Sequence, residues 1–325
     1  MHFHLTEEQT AIQDAVRGTL ADCWPIERIH AFADGEADFD RESWDALMAL
    51  GLGGILAPDS GMGLLDAALA CEVAGEAAAA GPLIGQMLAV AAGGGGHLDA
   101  LANGDKVAAL VHGGSTYVPC ARAADVFLIV DRDAGIRLVP AGDGVAIETV
   151  KAADRTRPVS KVAIAEDAGE RLFGPDDAMT ARLADAALVL VAADALGGAR
   201  KVTDMSVAYA REREQFGQPI GRFQGLKHQL AHMALDVEPA RALVWYAAYA
   251  WDAGLPDAPR AAALAKAHLC DVYVRATRAA VAAHGGIGYT WEYGLHYWFR
   301  RAMFDRAWLG SPAEHRARAA DLAGW

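Results

Sequence analysis

A chain of 325 residues, 53% of them hydrophobic and with a mean hydropathy of +0.12, can fill the cores of two or three packed units. A net charge of −13 and a pI near 5.2 exclude a general nucleic-acid binder and give no attraction to an anionic membrane surface. Cys23, Cys71, Cys120 and Cys270 are scattered without a CxxC pair, there is no signal-like start, and apolar runs stop short of the roughly 20 residues that span a bilayer; these features predict a cytoplasmic protein with reduced thiols and no membrane insertion.

The pattern predicts an α+β, mainly α fold in three regions. The first, residues 1–105, is helical. Thr6 and Gln9 have capping-box spacing ahead of Ile12, Val16 and Leu20, and a second helix runs over 41–50 with Gly51 after its end. The alanine-rich, charge-poor stretch 67–80 predicts a helix with a face suited to close packing, and Gly93–Gly96 predicts a loop. The second region, 106–177, carries β-rich runs at 107–111, 126–130, 136–139, 145–150 and 159–165, separated by turn-like segments, and predicts a small antiparallel sheet or barrel. The third, 178–325, predicts a bundle of four long helices at 181–213, 224–252, 257–284 and 291–309.

Two breaks in this bundle carry the functional signal. In Arg213-Glu-Gln-Phe-Gly-Gln-Pro-Ile-Gly-Arg-Phe-Gln224, an arginine at a helix end suits a pyrophosphate, Phe216 offers an aromatic face, and Gln224 an amide that can bond a nucleotide. In His284-Gly-Gly-Ile-Gly-Tyr289, the glycines let backbone N–H groups and a helix N-terminus approach an anion. Each segment alone also reads as a charged helix end or a simple turn. Gly285–Gly288 follows a helix rather than a strand and is no dinucleotide fingerprint. His228 and His232 sit one helical turn apart but lack the glutamate of a zinc-protease motif, so they read as surface or cap histidines and no metal site is assigned. Trp291, Trp298 and Trp308 read as core.

Together, YAREREQFGQPIGRFQGLKHQLAHM and AHGGIGYTWEYGLHYWFRRA resemble the C-terminal domain of the acyl-CoA dehydrogenase family, and LTEEQTAIQDAV with WDALMALGLGGILAPDSG is similar to its opening helices. The resemblance implies FAD as cofactor, an acyl-CoA substrate, α,β-dehydrogenation with an electron-transfer acceptor, and a tetramer. Carried over residue by residue, Arg213, Phe216 and Gln224 match the family's contacts to the ADP part of FAD, and Gly285 and Gly286 its glycine clamp. In that family these contacts reach across a dimer interface to flavin held mainly by the neighbour.

Other expected parts are missing. The family's usual glutamate base falls at Leu309, and the alternative base position on the first bundle helix falls at Ala187. Asp185 is two residues from Ala187, a rotation of about 200° on a helix, and nothing in the sequence places Asp305 or Glu314 in a site. The flavin-ring segments of the family's middle domain are not found in 106–176, Ala282 stands where a glutamine precedes the clamp, and Ser311 and Ala313 replace the adenine-side Thr and Gln. The losses fall on the ring-holding half-site, and what remains is the half donated to a neighbour. This resembles the short non-catalytic subunits of actinobacterial α2β2 acyl-CoA dehydrogenases, some of which act on steroid-CoA thioesters, and implies a longer catalytic partner that supplies the base. Two alternatives stay open: a self-sufficient homo-oligomeric enzyme with an unidentified base, and a flavin-free acyl-CoA-binding structural subunit.

Overall fold

A computed structural model describes residues 4–325. The first helices are α1 (Glu7–Cys23), α2 (Ile26–Asp34), α3 (Arg41–Ala49), α4 (Leu64–Glu76), α5 (Leu83–Ala91) and α6 (Leu98–Ala102). The Thr6–Gln9 capping box opens α1, its two side chains each bonding the other's backbone N–H at 3.1 Å. After α3 the chain turns at Gly51, in the left-handed region at φ +82°.

The charge-poor helix α4 starts and stops earlier than its composition predicts. Its end is fixed by Ala78 at φ +48°, a conformation that no helix continues through. The small-residue face serves contact within the chain, against α7 (Ala178–Glu212). A Cβ on Gly197 would sit 1.7 Å from the Glu72 carbonyl oxygen, and one on Gly75 2.1 Å from that of Asp194, so the two backbones touch.

The middle strands are β1 (Ala108–His112), β2 (Tyr117–Pro119), β3 (Val126–Asp131), β4 (Gly135–Pro140), β5 (Val145–Thr149), β6 (Val159–Ile164) and β7 (Glu170–Phe173). They form two sheets, ordered β1-β3-β4-β7 and β2-β6-β5, rather than one antiparallel sheet. β1 and β3 pair in parallel, Ala108 opposite Val126 through His112 opposite Val130, because the connection between them leaves to give β2 to the second sheet. β2 and β7 escape the sequence reading, being short and mixed in composition. Alternate residues of β1 and β3 divide between two cores: Leu110 and Leu128 face the helices, while Ala109, Phe127 and Ile129 meet Val118 and Val162 of the second sheet. Burial on both faces explains why these strands read as continuous apolar runs.

The C-terminal region is α7, then α8 (Gln224–Val237), α9 (Arg241–Asp252), α10 (Ala258–His284), α11 (Leu295–Ala307) and α12 (Pro312–Asp321). The single helix expected over 224–252 is two. Pro239 has no N–H to donate, and its ring collides with the carbonyl four residues back, so the helix ends before it. The helix expected from residue 291 begins only after Gly294, at φ +75°. Long helices α7 and α10 pack at the centre, where Gly198 makes room for the buried Tyr273 ring. No helix among the described residues is long and apolar enough to cross a membrane.

Candidate functional site

The helix α7 ends at Arg213, and a two-stranded hairpin follows, β8 (Glu214–Gln215) with β9 (Gln218–Pro219). Its two-residue loop is Phe216-Gly217, at φ +54° and +77°. Both residues have positive φ, as a type I′ turn requires. Glycine suits such a turn, but an aromatic residue in the left-handed region carries strain of about 1–2 kcal/mol. The strained ring is 93% exposed and meets Phe223 edge-on, with ring centroids 6.0 Å apart. Arg213 is exposed and its backbone is pinned, its N–H donating to Tyr209 and its carbonyl accepting from Ile220, both at 2.8 Å. Among the described residues its guanidinium has no carboxylate partner. Gln224, exposed, is the first residue of α8.

The second segment lies beside the first. One turn before Arg213, Tyr209 stacks on His284 with centroids 4.6 Å apart, and His284 bonds the Tyr293 hydroxyl at 2.9 Å and the Ala280 carbonyl oxygen at 2.7 Å. Burial holds the His284 imidazole below its ordinary pKa, so it is a neutral spacer between the two segments. Gly285 adopts φ +65°, and both it and Gly286 open on free space where a side chain would stand. Here the sequence expectation needs correction. Residues Gly285–Tyr289 form a short 3₁₀ turn and α11 starts only at Leu295, so the glycines do not open the helix that follows them. Tyr289, 78% exposed, adds a second uncovered aromatic ring.

The expected base positions hold no carboxylate. Ala187 is fully buried in α7. Leu309 is buried and sits at φ +62°, a strained backbone for a leucine. Two neighbours clamp this turn: the buried Lys266 donates to the carbonyls of Asp305 and Gly310 at 2.8 and 3.2 Å, and His315 donates from Nε2 to the Leu309 carbonyl at 2.8 Å. Each nearby carboxylate is already engaged. Asp185 binds Arg132 and Arg318 at 2.6 and 2.8 Å, Glu314 closes a capping box with Ser311 at the start of α12, and Asp305 pairs with Arg157. His228 and His232 are exposed on α8, and among the described residues no group of three metal-binding side chains occurs.

Burial lowers the His315 pKa from 6.5 to about 4. The unfolded chain therefore takes up this proton as pH falls through 6.5, while the folded chain refuses it until about 4, so stability is lost toward acid. Between pH 7 and pH 5 the loss should be on the order of 1 kcal/mol from this residue, and His315→Gln should remove it. Urea midpoints at the two pH values measure this: His296, likewise lowered to about 4, keeps its own share of the loss in both proteins, and an equal loss in wild type and His315→Gln would contradict the assignment to His315.

Sequence reading missed a buried ionic network. Arg301 donates to both oxygens of Asp194 at 3.0 and 2.7 Å, Arg157 binds Asp194 at 2.8 Å and also Asp305, and all four side chains are buried. Burial pushes the Asp305 carboxyl well above its usual pKa. The Asp194 carboxylate, although also buried, is held below the usual range by Arg157 and Arg301. The available signal was Asp194 itself, an acid inside the apolar run LVLVAADALGGA.

This geometry defines an all-helical frame around a small β layer, with an exposed arginine–aromatic–glycine face at one end of the bundle. Family models for the acyl-CoA dehydrogenase N-terminal and C-terminal domains match residues 6–105 and 176–322. The acyl-CoA dehydrogenase IpdE2 of Mycolicibacterium smegmatis is 30% identical over 97% of this chain and 98% of its own. The acyl-CoA dehydrogenase FadE34 of Mycobacterium tuberculosis is 29% identical over 98% of this chain but only 48% of its own length. A solved steroid ACAD, Tcur3481-Tcur3483 in a G363A variant, superposes with a TM-score of 0.88 at 25% identity, covering 98% of each chain. The chain belongs to the acyl-CoA dehydrogenase family of FAD-dependent oxidoreductases.

Proposed function

We propose that this chain is the non-catalytic subunit of a heteromeric acyl-CoA dehydrogenase and lends the ADP-side clamp to FAD whose ring is held by a longer catalytic partner. The observation that carries the reading is Phe216, a ring held on a strained turn yet 93% exposed. An isolated fold gains nothing from such a residue, whereas a nucleotide laid across the surface would cover it.

The surrounding groups fit the ADP end of FAD. Among the described residues Arg213 has no carboxylate partner and can meet the pyrophosphate, Gln224 offers an exposed amide, and the bare Gly285–Gly286 backbone allows close approach. The ring end finds no counterpart in this chain, because residues 106–176 carry none of the ring-binding segments that the family resemblance calls for. FAD supplies hydride acceptance; the α proton would be removed by the partner's carboxylate, since Leu309 and Ala187 can accept none. The match of this chain to about half of FadE34 supports pairing with a second unit, and the steroid ACAD supports a bulky, steroid-like acyl-CoA as substrate.

Phe216→Asn tests the reading. Asparagine tolerates the left-handed region, so the isolated chain should be as stable as wild type or slightly more so, while the assembled complex should retain FAD roughly tenfold less well. Unchanged FAD retention would contradict the clamp. Leu309→Ala should lower stability by about 2–3 kcal/mol through its cavity but leave kcat of the complex within about twofold. Lost turnover with folding and FAD content intact would remove the half-site assignment.

A further inference from the structure

A second concave surface lies where the N-terminal helices meet the bundle. This groove has a volume of about 760 Å³ and is walled by α1, α2, α4, α7 and α11. None of Arg213, Phe216, Gln224, Gly285 and Gly286 lines it. Small-molecule sites span roughly 300–1,000 Å³ and favour such junctions between packed units.

The floor is apolar. Leu20, Trp24, Ile29 and Val73 are buried on one side, and Trp298 on the bundle side. The two indoles differ in their polar atom. Trp298 Nε1 donates to the carbonyls of Gly75 and Glu76, both at 3.2 Å, which fixes its ring. Trp24 is 3% exposed and packs edge-on to Phe32, yet among the described residues its Nε1 has no acceptor. A buried N–H without a partner costs free energy that an acceptor carried in by a ligand would recover.

The rim supplies charge. Glu76 is shared by Arg17 at 3.2 Å and Arg200 at 3.1 Å, and Arg200 also holds the buried Glu72. Lys201 differs from both arginines. It is half-buried, its Nζ lies 5.9 Å from the centroid of the Trp298 ring, and among the described residues it has no carboxylate partner. Asp204, one turn further along α7, is exposed and forms no ion pair among the described residues, so solvent screens it. The groove thus sets one uncommitted ammonium beside an aromatic and aliphatic floor. Its complement is a hydrocarbon body that ends in a carboxylate.

We propose that this groove binds an apolar carboxylate, its hydrocarbon body against Trp24 and Trp298 and its anionic end on Lys201. Neither flavin nor a partner chain enters this binding, so it stands apart from the subunit reading. A fused-ring acid and an open-chain acid share the required chemistry, and two probes separate them.

Equilibrium dialysis of the isolated full chain against radiolabelled cholate and decanoate, each below the concentration at which it aggregates, tests the proposal. At least one acid should bind at one site per chain, and the tighter of the two identifies a ring-fused or an open-chain body. Lys201→Met keeps the apolar stem and should weaken binding about tenfold, whereas Lys201→Arg should restore most of it. Ala21→Phe, at an exposed position of α1 on the groove wall, should fill the space and abolish binding with the fold intact. Saturable binding of neither acid, equal affinity in wild type and Lys201→Met, or binding that persists in Ala21→Phe would each overturn the proposal. Binding by the isolated chain that disappears in the assembled complex would show that the partner subunit covers the groove, and would overturn it as well.

Discussion

Asp194→Ala should lower the unfolding free energy by about 3–5 kcal/mol, enough to unfold much of a marginally stable chain. The magnitude follows from what the substitution strands. Asp194 is the shared counter-ion of Arg301 and Arg157, and all three are buried. Removing it leaves Arg301 with only the Ala79 carbonyl and the Thr156 hydroxyl, neither of which neutralises a guanidinium. Asp305 can offset part of the loss, since without the neighbouring anion its raised pKa falls and it ionises against Arg157. The Arg301 charge has no such substitute. Asp194→Asn should cost less, because the amide oxygen still accepts one of the bonds. Urea unfolding of the purified chain measures both variants, and a loss below about 1 kcal/mol for Asp194→Ala would mean that this network is not closing the fold.

Arg213→Ala has the largest expected effect on cofactor. A charge-assisted bidentate contact to a pyrophosphate is among the strongest polar contacts a surface can make, and its loss should weaken FAD retention by the assembled complex roughly thirtyfold. The fold itself should not respond, because the Arg213 side chain is exposed and the end of α7 is held by backbone bonds that Arg213 donates to Tyr209 and accepts from Ile220. Arg213→Lys should recover only part of the retention, since a single ammonium cannot grip two phosphate oxygens in a fork. Flavin fluorescence during dilution of the complex reports the ratio. Equal retention by wild type and Arg213→Ala would place the nucleotide elsewhere.

The sequence was most informative where local chemistry decides structure. The Thr6–Gln9 box, the ends of α7 and α10, and the β-rich runs of β1, β3 and β6 could all be read because caps, breakers and apolar period act over a few residues. Two features escaped for physical reasons. The parallel pairing of β1 with β3 depends on where β2 goes, which no local pattern records. The network of Arg157, Asp194, Arg301 and Asp305 joins residues far apart in the chain, and only Asp194, isolated in an apolar helix, betrayed a buried partner. The candidate clamp shows the same division. Its residue types were legible at Arg213, Phe216, Gln224, Gly285 and Gly286, but the type I′ turn that strains Phe216 and the Tyr209–His284 stack that joins the two segments were not. Nor did the sequence reveal that a 3₁₀ turn, rather than a helix N-terminus, presents the glycines.

The apolar residues at the expected base positions and the exposed candidate clamp fit one proposed account. A base position that no longer does chemistry can carry an apolar side chain, and Leu309 packs there even though its backbone keeps a strained conformation held by Lys266 and His315. On the proposed reading a surface that meets a nucleotide must stay exposed in the isolated chain, and Phe216 and Tyr289 are exposed.

The most direct test of this account is the flavin content and activity of the purified chain alone and after co-expression with a longer acyl-CoA dehydrogenase chain that carries the ring-binding segment and a glutamate base. The isolated chain should be colourless and inactive, and the co-purified complex should be yellow and dehydrogenate an acyl-CoA thioester. Stoichiometric FAD and turnover by the isolated chain would contradict the account.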